Sequence, residues 1–214
     1  MPANNPPPNP ARALPGFDHI NRYWDRRHQL YVAKILPGEF YVTRANEKIA
    51  TTLGSCVSAC IWDEKMGIGG MNHFMLPLTE KELHEVTWGN VKSNATRYGN
   101  YAMEHLINEI LKNGGRRKNL QVKVFGGGHV LQQSNDIGNK NADFVLKYIH
   151  IEGLPLIAQD LGNNCPRKVI FDPITGKVLM KRLRSIHNDT IMVREQDYQK
   201  TLTGKPVEGD IELF

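Results

Sequence analysis

The sequence predicts a layered α/β (α+β) domain with mixed or antiparallel sheets. Short runs of apolar residues at period two recur on both sides of the chain's middle. Two longer stretches, 95–113 and 141–150, repeat apolar residues every three or four positions instead. Proline and glycine punctuate the short connections between these runs. Helices with one apolar stripe interleaved with half-apolar strands bury their surfaces by stacking in layers.

Bulk properties narrow the function classes. At 214 residues the chain is long enough for one core with tails. No apolar run approaches the ~18 residues a membrane helix needs, and the Pro/Asn-rich start has no apolar signal region. Three cysteines are sparse and odd in number, which points to reduced thiols and a cytoplasmic location. The net charge of +5 is spread along the chain, so an acidic partner fits and no feature calls for nucleic acid or membrane insertion. The expected division is a Pro-rich tail and extension over 1–33, a folded domain over 34–194 and a C-terminal tail over 195–214.

In chain order, residues 1–16 are dominated by proline and asparagine and read as a solvated tail. From 17 to 31 aromatic and basic residues alternate (Tyr23, Trp24, Arg26, Arg27, His28, Tyr31), a docked extension with aromatic anchors rather than a base-stacking platform. Pro37-Gly38 turns the chain into a strand over 39–43. Polar residues 78–94 form a surface loop. The helix over 95–113 has Tyr98, Ala102, Leu106 and Ile110 at fourfold spacing and stops at Gly114-Gly115. Arg116, Arg117 and Lys118 belong to a solvated loop. A strand over 120–125 runs into Gly126-Gly127-Gly128. That turn lacks both the dinucleotide spacing and a Walker lysine, so it serves tight backbone packing. A second helix, 141–150, buries Phe144, Val145, Tyr148 and Ile149. A strand at 155–160 precedes a hairpin, 168–171 with 177–183, turning at Asp172-Pro173-Ile174-Thr175-Gly176.

The chemistry gathers in 51–77, TTLGSCVSACIWDEKMGIGGMNHFMLP. Its two β-patterned runs flank a polar, glycine-bearing connection, which reads as a hairpin. A four-residue loop over 63–66, closed by Trp62 and Gly67, sets Cys56 directly opposite His73. Opposed residues share a face with Cβ atoms roughly 4.5–5.5 Å apart, so thiol and imidazole would meet. A bulge at Gly69-Gly70 would break this register. Gly54 and Ser55 deliver Cys56 at the strand mouth, where backbone N–H groups are free to bind a developing oxyanion.

Cys60 and Cys165 read as small core residues. Zinc on Cys56, Cys60, His73, His84 or Cys165 is disfavoured. Residues four apart on a strand lie about 13 Å apart at ~3.3 Å per residue, whereas Zn–S bonds are near 2.3 Å. Thr51 and Thr52 are the candidates to orient the imidazole, although threonine also suits a strand for its own sake.

LGSCVSACIWD followed by GGMNHFMLP resembles the signature of the CheD family, chemotaxis proteins that deamidate chemoreceptor glutamines. LPGEFYVT, FGGGHV, DIGNKNADFVLKYI and DLGNNCPRKVIFDPITGKV resemble further family blocks in the same order, so the likeness covers about 34–183. It implies an α/β sandwich similar to the deamidase domains of cytotoxic necrotizing toxins. It also implies Cys56 as nucleophile, His73 as base, Thr51 as third residue and no cofactor, with the backbone around Gly54 and Ser55 as the oxyanion site. The implied substrates are glutamines on the cytoplasmic domains of methyl-accepting chemoreceptors, hydrolysed through a cysteine thioester, with the corresponding methyl esters as a second substrate. The implied partner is a CheC-type phosphatase. Cys165 departs from the small or polar residue expected at its place. Two competing readings remain: a non-catalytic regulator binding receptors or a CheC-type protein, and a thiol hydrolase acting on small amides.

Overall fold

A computed structural model describes residues 7–77, 94–130, 137–183 and 189–204. Most of the loop expected at 78–94, with His84, lies outside them. In order the elements are β1 (Asn21–Asp25), β2 (Leu30–Lys34), β3 (Phe40–Thr43), β4 (Glu47–Leu53), β5 (Val57–Asp63) and β6 (Ile68–Asn72). They continue with α1 (Asn94–Lys112), β7 (Gln121–Gly126), α2 (Ile137–Ile151), β8 (Leu156–Leu161), β9 (Arg167–Phe171), β10 (Val178–Arg182) and α3 (Asp189–Gly204).

The strands form two five-stranded mixed sheets, β1-β2-β4-β9-β10 and β3-β6-β5-β7-β8. The pairs β2·β4 and β7·β8 are parallel and the remaining pairs antiparallel. The second sheet is the middle layer. α1 lies on β3, β5 and β6, and α2 on β5 and β7. The first sheet closes the other side, where Trp62 of β5 meets Phe171 of β9 edge-on at 6.2 Å between ring centroids. β5 is therefore covered on both faces, and all seven of its residues are buried. A strand in that position reads as a continuous apolar run, which is what VSACIW supplies. This is the mixed, layered α/β architecture the periodicities predict.

Glu47 at the start of β4 ties the layers together. Its buried carboxylate accepts hydrogen bonds from Tyr41 Oη (2.8 Å), Thr43 Oγ1 (2.7 Å) and Arg22 Nε (2.8 Å). A buried carboxylate needs such company, because desolvating the charge alone costs several kcal/mol.

Three expectations change. First, residues 17–31 do more than anchor an extension: 21–34 fold as the β1–β2 hairpin and join the first sheet, with Phe17 and Ile20 in the core. The boundary drawn at 33/34 falls inside β2, and the one at 194/195 inside α3. Second, the β5–β6 register differs by two. Cys60 pairs with Met71 and Asp63 with Ile68, and Val57 bridges Phe74. The loop is 64–67, closed by Gly67 at φ 61°, a conformation glycine adopts without penalty. Third, Cys165 is half-exposed before β9, while Cys60 is buried as expected.

Candidate active site

Extending the β5–β6 ladder sets Met75, not His73, opposite Cys56. An even shift keeps side chains on the same face, so the two residues become diagonal neighbours rather than direct partners. A ring nitrogen of His73, Sγ of Cys56 and a carboxylate oxygen of Glu195 all lie within 4.8 Å of one another, and all three residues are buried. Just past β6, His73 is fixed by its backbone: its N–H donates to Glu39 O (2.9 Å) and its carbonyl accepts from Gly38 N (2.8 Å).

Thr51 sets the state of the ring. Its hydroxyl donates to Ile35 O at 2.9 Å, which uses its one proton. The 2.7 Å contact between Thr51 Oγ1 and His73 Nδ1 must then be an Nδ1–H donating to oxygen. Nε2 is left with its lone pair, and this buried nitrogen has no hydrogen-bond partner. Burial lowers the pKa of His73 from 6.5 to about 3, so the ring is neutral. Among the described residues Thr52 makes no such contact with the ring, in keeping with the alternation of side chains along β4.

Gly54, Ser55 and Cys56 are held from behind. The carbonyls of Gly54, Ser55 and Cys56 accept from Gly128 N (2.7 Å), Asn141 Nδ2 (2.9 Å) and Gly127 N (2.8 Å) respectively. In a trans peptide the carbonyl and the next N–H point opposite ways, so holding the Gly54 and Ser55 carbonyls outward aims the Ser55 and Cys56 N–H groups inward. The N–H groups of Gly54, Ser55 and Cys56 donate to Glu195 at 2.7, 2.8 and 3.3 Å, and Ser55 Oγ adds a bond of 2.7 Å. Converging backbone N–H groups of this kind form an anion nest. Gly126 makes the close approach possible: at φ 114° a Cβ there would lie 2.1 Å from Cys56 O. The glycine turn thus serves backbone packing, as expected.

Glu195 also acts on the thiol. Burial first, and then the adjacent Glu195 carboxylate, push Cys56 well above its ordinary pKa and keep it protonated. A cleft of about 310 Å³ opens beside this group, with Thr51, His73, Lys168, Arg194 and Glu195 on its walls. A metal does not suit the trio. Four N–H and O–H donors already converge on the Glu195 carboxylate, surroundings that favour an anion over a metal ion.

All five sequence-predicted residues, Cys56, His73, Thr51, Gly54 and Ser55, converge here. Sequence reasoning missed Asn141 and Glu195. Each carried a signal, a polar residue within an apolar stripe: Asn141 in register with Phe144, Val145 and Tyr148, and Glu195 with Ile191, Tyr198 and Leu202.

Together these features define an α/β domain with a buried thiol, an imidazole of fixed tautomer and a backbone anion nest. The chain belongs to the CheD family. The family model for CheD, chemotactic sensory transduction, matches residues 75–182. A relative from Halorhodospira halophila, called "Probable chemoreceptor glutamine deamidase CheD", is 54% identical over 202 residues, 94% of this chain and 93% of its own. One of the same name from Hahella chejuensis is 47% identical over 212 residues, 99% of both chains. Among solved structures, a Neisseria meningitidis protein matched by the DUF152 family model is similar at a TM-score of 0.40 and 8% identity, covering 64% of this chain and 66% of its own. Among the described residues no helix is long and apolar enough to cross a membrane.

Proposed function

We propose that this protein hydrolyses the side-chain amides of glutamines in chemoreceptor cytoplasmic domains through a thioester on Cys56. The carrying observation is the Thr51–His73 contact, which leaves an unpartnered basic nitrogen beside a buried thiol. The names of the relatives supply the substrate class.

His73 Nε2 draws the proton from Cys56 Sγ, and the thiolate attacks the carboxamide carbon. The oxyanion accepts from the N–H groups of Gly54, Ser55 and Cys56, each such donor being worth about 3 kcal/mol in the transition state. The imidazolium protonates the departing nitrogen, ammonia leaves, and water hydrolyses the thioester with His73 now acting as base. Glutamate results. A receptor methyl ester follows the same acyl chemistry with methanol leaving. Cytoplasmic location, association with a CheC-type phosphatase and operation without a cofactor belong to this reading.

The test is mass spectrometry of a receptor cytoplasmic fragment incubated with the wild-type protein or with Cys56→Ala. The expected result is an amide-to-acid mass gain at defined glutamines with wild type alone, and none on free glutamine. A folded, reduced wild-type protein that leaves every cognate receptor unchanged overturns it, and binding without turnover would then favour a regulatory role.

A further inference from the structure

Glu195 is bonded like a ligand rather than like a structural ion-pair partner. Its carboxylate is buried on three successive backbone N–H groups and a hydroxyl, and no lysine or arginine among the described residues pairs with it. If the proposed function holds, these are the donors that meet the reacting carboxamide. The product of that reaction is a glutamate carboxylate on a receptor helix, and Glu195 is a glutamate on a helix.

We propose that α3 is a built-in product mimic that occludes the active site, and that a receptor helix must displace it to be processed. Ile191, Glu195, Tyr198 and Leu202 share one face of α3 and point inward. Tyr198 hydrogen-bonds Tyr98 of α1 through the two hydroxyls. Its ring covers Gly38, the residue that braces His73. The opposite face is solvated: Val193, Gln196 and Asp197 are exposed. The helix is thus held by one stripe, with its carboxylate in the nest as the central contact. With α3 seated, Cys56 and His73 are buried, and burial together with the Glu195 carboxylate beside it keeps the thiol protonated. This is helix-in-groove recognition turned on the chain itself.

The mimicry predicts chemistry in cis. In Glu195→Gln the new carboxamide occupies the nest. Cys56 Sγ bonds to its side-chain carbonyl carbon, the amide nitrogen leaves as ammonia with the proton from His73, and water releases the thiol, restoring glutamate at 195.

The deciding experiment measures iodoacetamide labelling of Cys56, resolved by peptide mapping, in wild type, Glu195→Ala and Glu195→Gln, beside receptor deamidation by each. Labelling of Glu195→Ala is expected to rise at least about tenfold, the factor set by losing even one charge-assisted hydrogen bond. Receptor turnover should rise with it, and Glu195→Gln should accumulate glutamate at 195 unless Cys56 is also replaced by alanine. Unchanged labelling overturns the occlusion, whether or not the receptor is deamidated. Faster labelling without receptor deamidation upholds the occlusion and retires the deamidase reading. Receptor deamidation by a folded Glu195→Gln that keeps its glutamine overturns the mimicry. Should Glu195→Ala fail to unfold cooperatively, Tyr198→Ala loosens α3 from outside the nest and is judged by the same labelling.

Discussion

Asn141 on α2 donates its side-chain amide to the carbonyl of Ser55 at 2.9 Å, and the following peptide N–H, that of Cys56, is thereby aimed into the site. Its amide oxygen also accepts from Leu76 N at 2.8 Å, so one buried side chain ties α2 to both sides of the β5–β6 hairpin. Asn141→Ala orphans a buried carbonyl and a buried N–H, each costing about 1–3 kcal/mol. Urea unfolding should show the combined loss. In the surviving folded protein kcat should fall more than KM rises, because a misaimed N–H weakens the transition state rather than substrate docking.

Thr51 and Thr52 separate cleanly. Thr51→Val keeps the shape of β4 but removes the acceptor for His73 Nδ1–H. The ring then loses its fixed tautomer, and kcat/KM should drop roughly tenfold to a hundredfold, the cost of one unmet buried donor. Thr52→Val should stay near wild type. Receptor deamidation rates for the pair check both at once.

Gly126 tests the glycine turn. A Cβ at this position would sit 2.1 Å from Cys56 O, on a backbone at φ 114° that side chains rarely adopt. Gly126→Ala must shift the Cys56 peptide or unfold the site, with a cost of several kcal/mol. Gly67→Ala, also at positive φ but with open space around its would-be Cβ, should cost only about 1 kcal/mol. Thermal unfolding of the two variants side by side separates close approach from φ strain.

Much of this was legible because β5 and α1 follow simple periods, and because a register shift of two residues leaves side chains on the same face. The expected Cys56–His73 meeting survived a register error for that reason. The two-residue difference in register comes from Gly67, which at φ 61° is the last member of the loop rather than its closing partner. The β1–β2 hairpin was hidden by surface composition, since only Val32 and Ala33 of its strands are buried. α3 was hidden by its polarity: its buried face is a narrow stripe interrupted by Glu195, which looks solvated until the nest that receives it is known. Long-range partners such as Glu195 with Gly54 and Ser55 are a property of tertiary structure, beyond any local pattern.

The pH dependence of stability follows from His73. Burial lowers its pKa from 6.5 to about 3, so between these values the unfolded chain binds a proton that the folded protein refuses. Stability therefore falls as pH drops through that window, and above it His73 adds no slope. Asp160 acts lower. Arg167 and Arg182 hold its carboxylate below 3.8, so its contribution is full above that value and is lost only as pH falls further. Urea midpoints compared at about pH 7.5 and about pH 5 isolate the imidazole, because Asp160 stays charged in both states across most of that interval. Wild type should lose stability between the two, and His73→Gln should lose clearly less. Equal losses in both proteins would mean that His73 accepts a proton in the folded state, and hence that water already reaches the ring beneath α3.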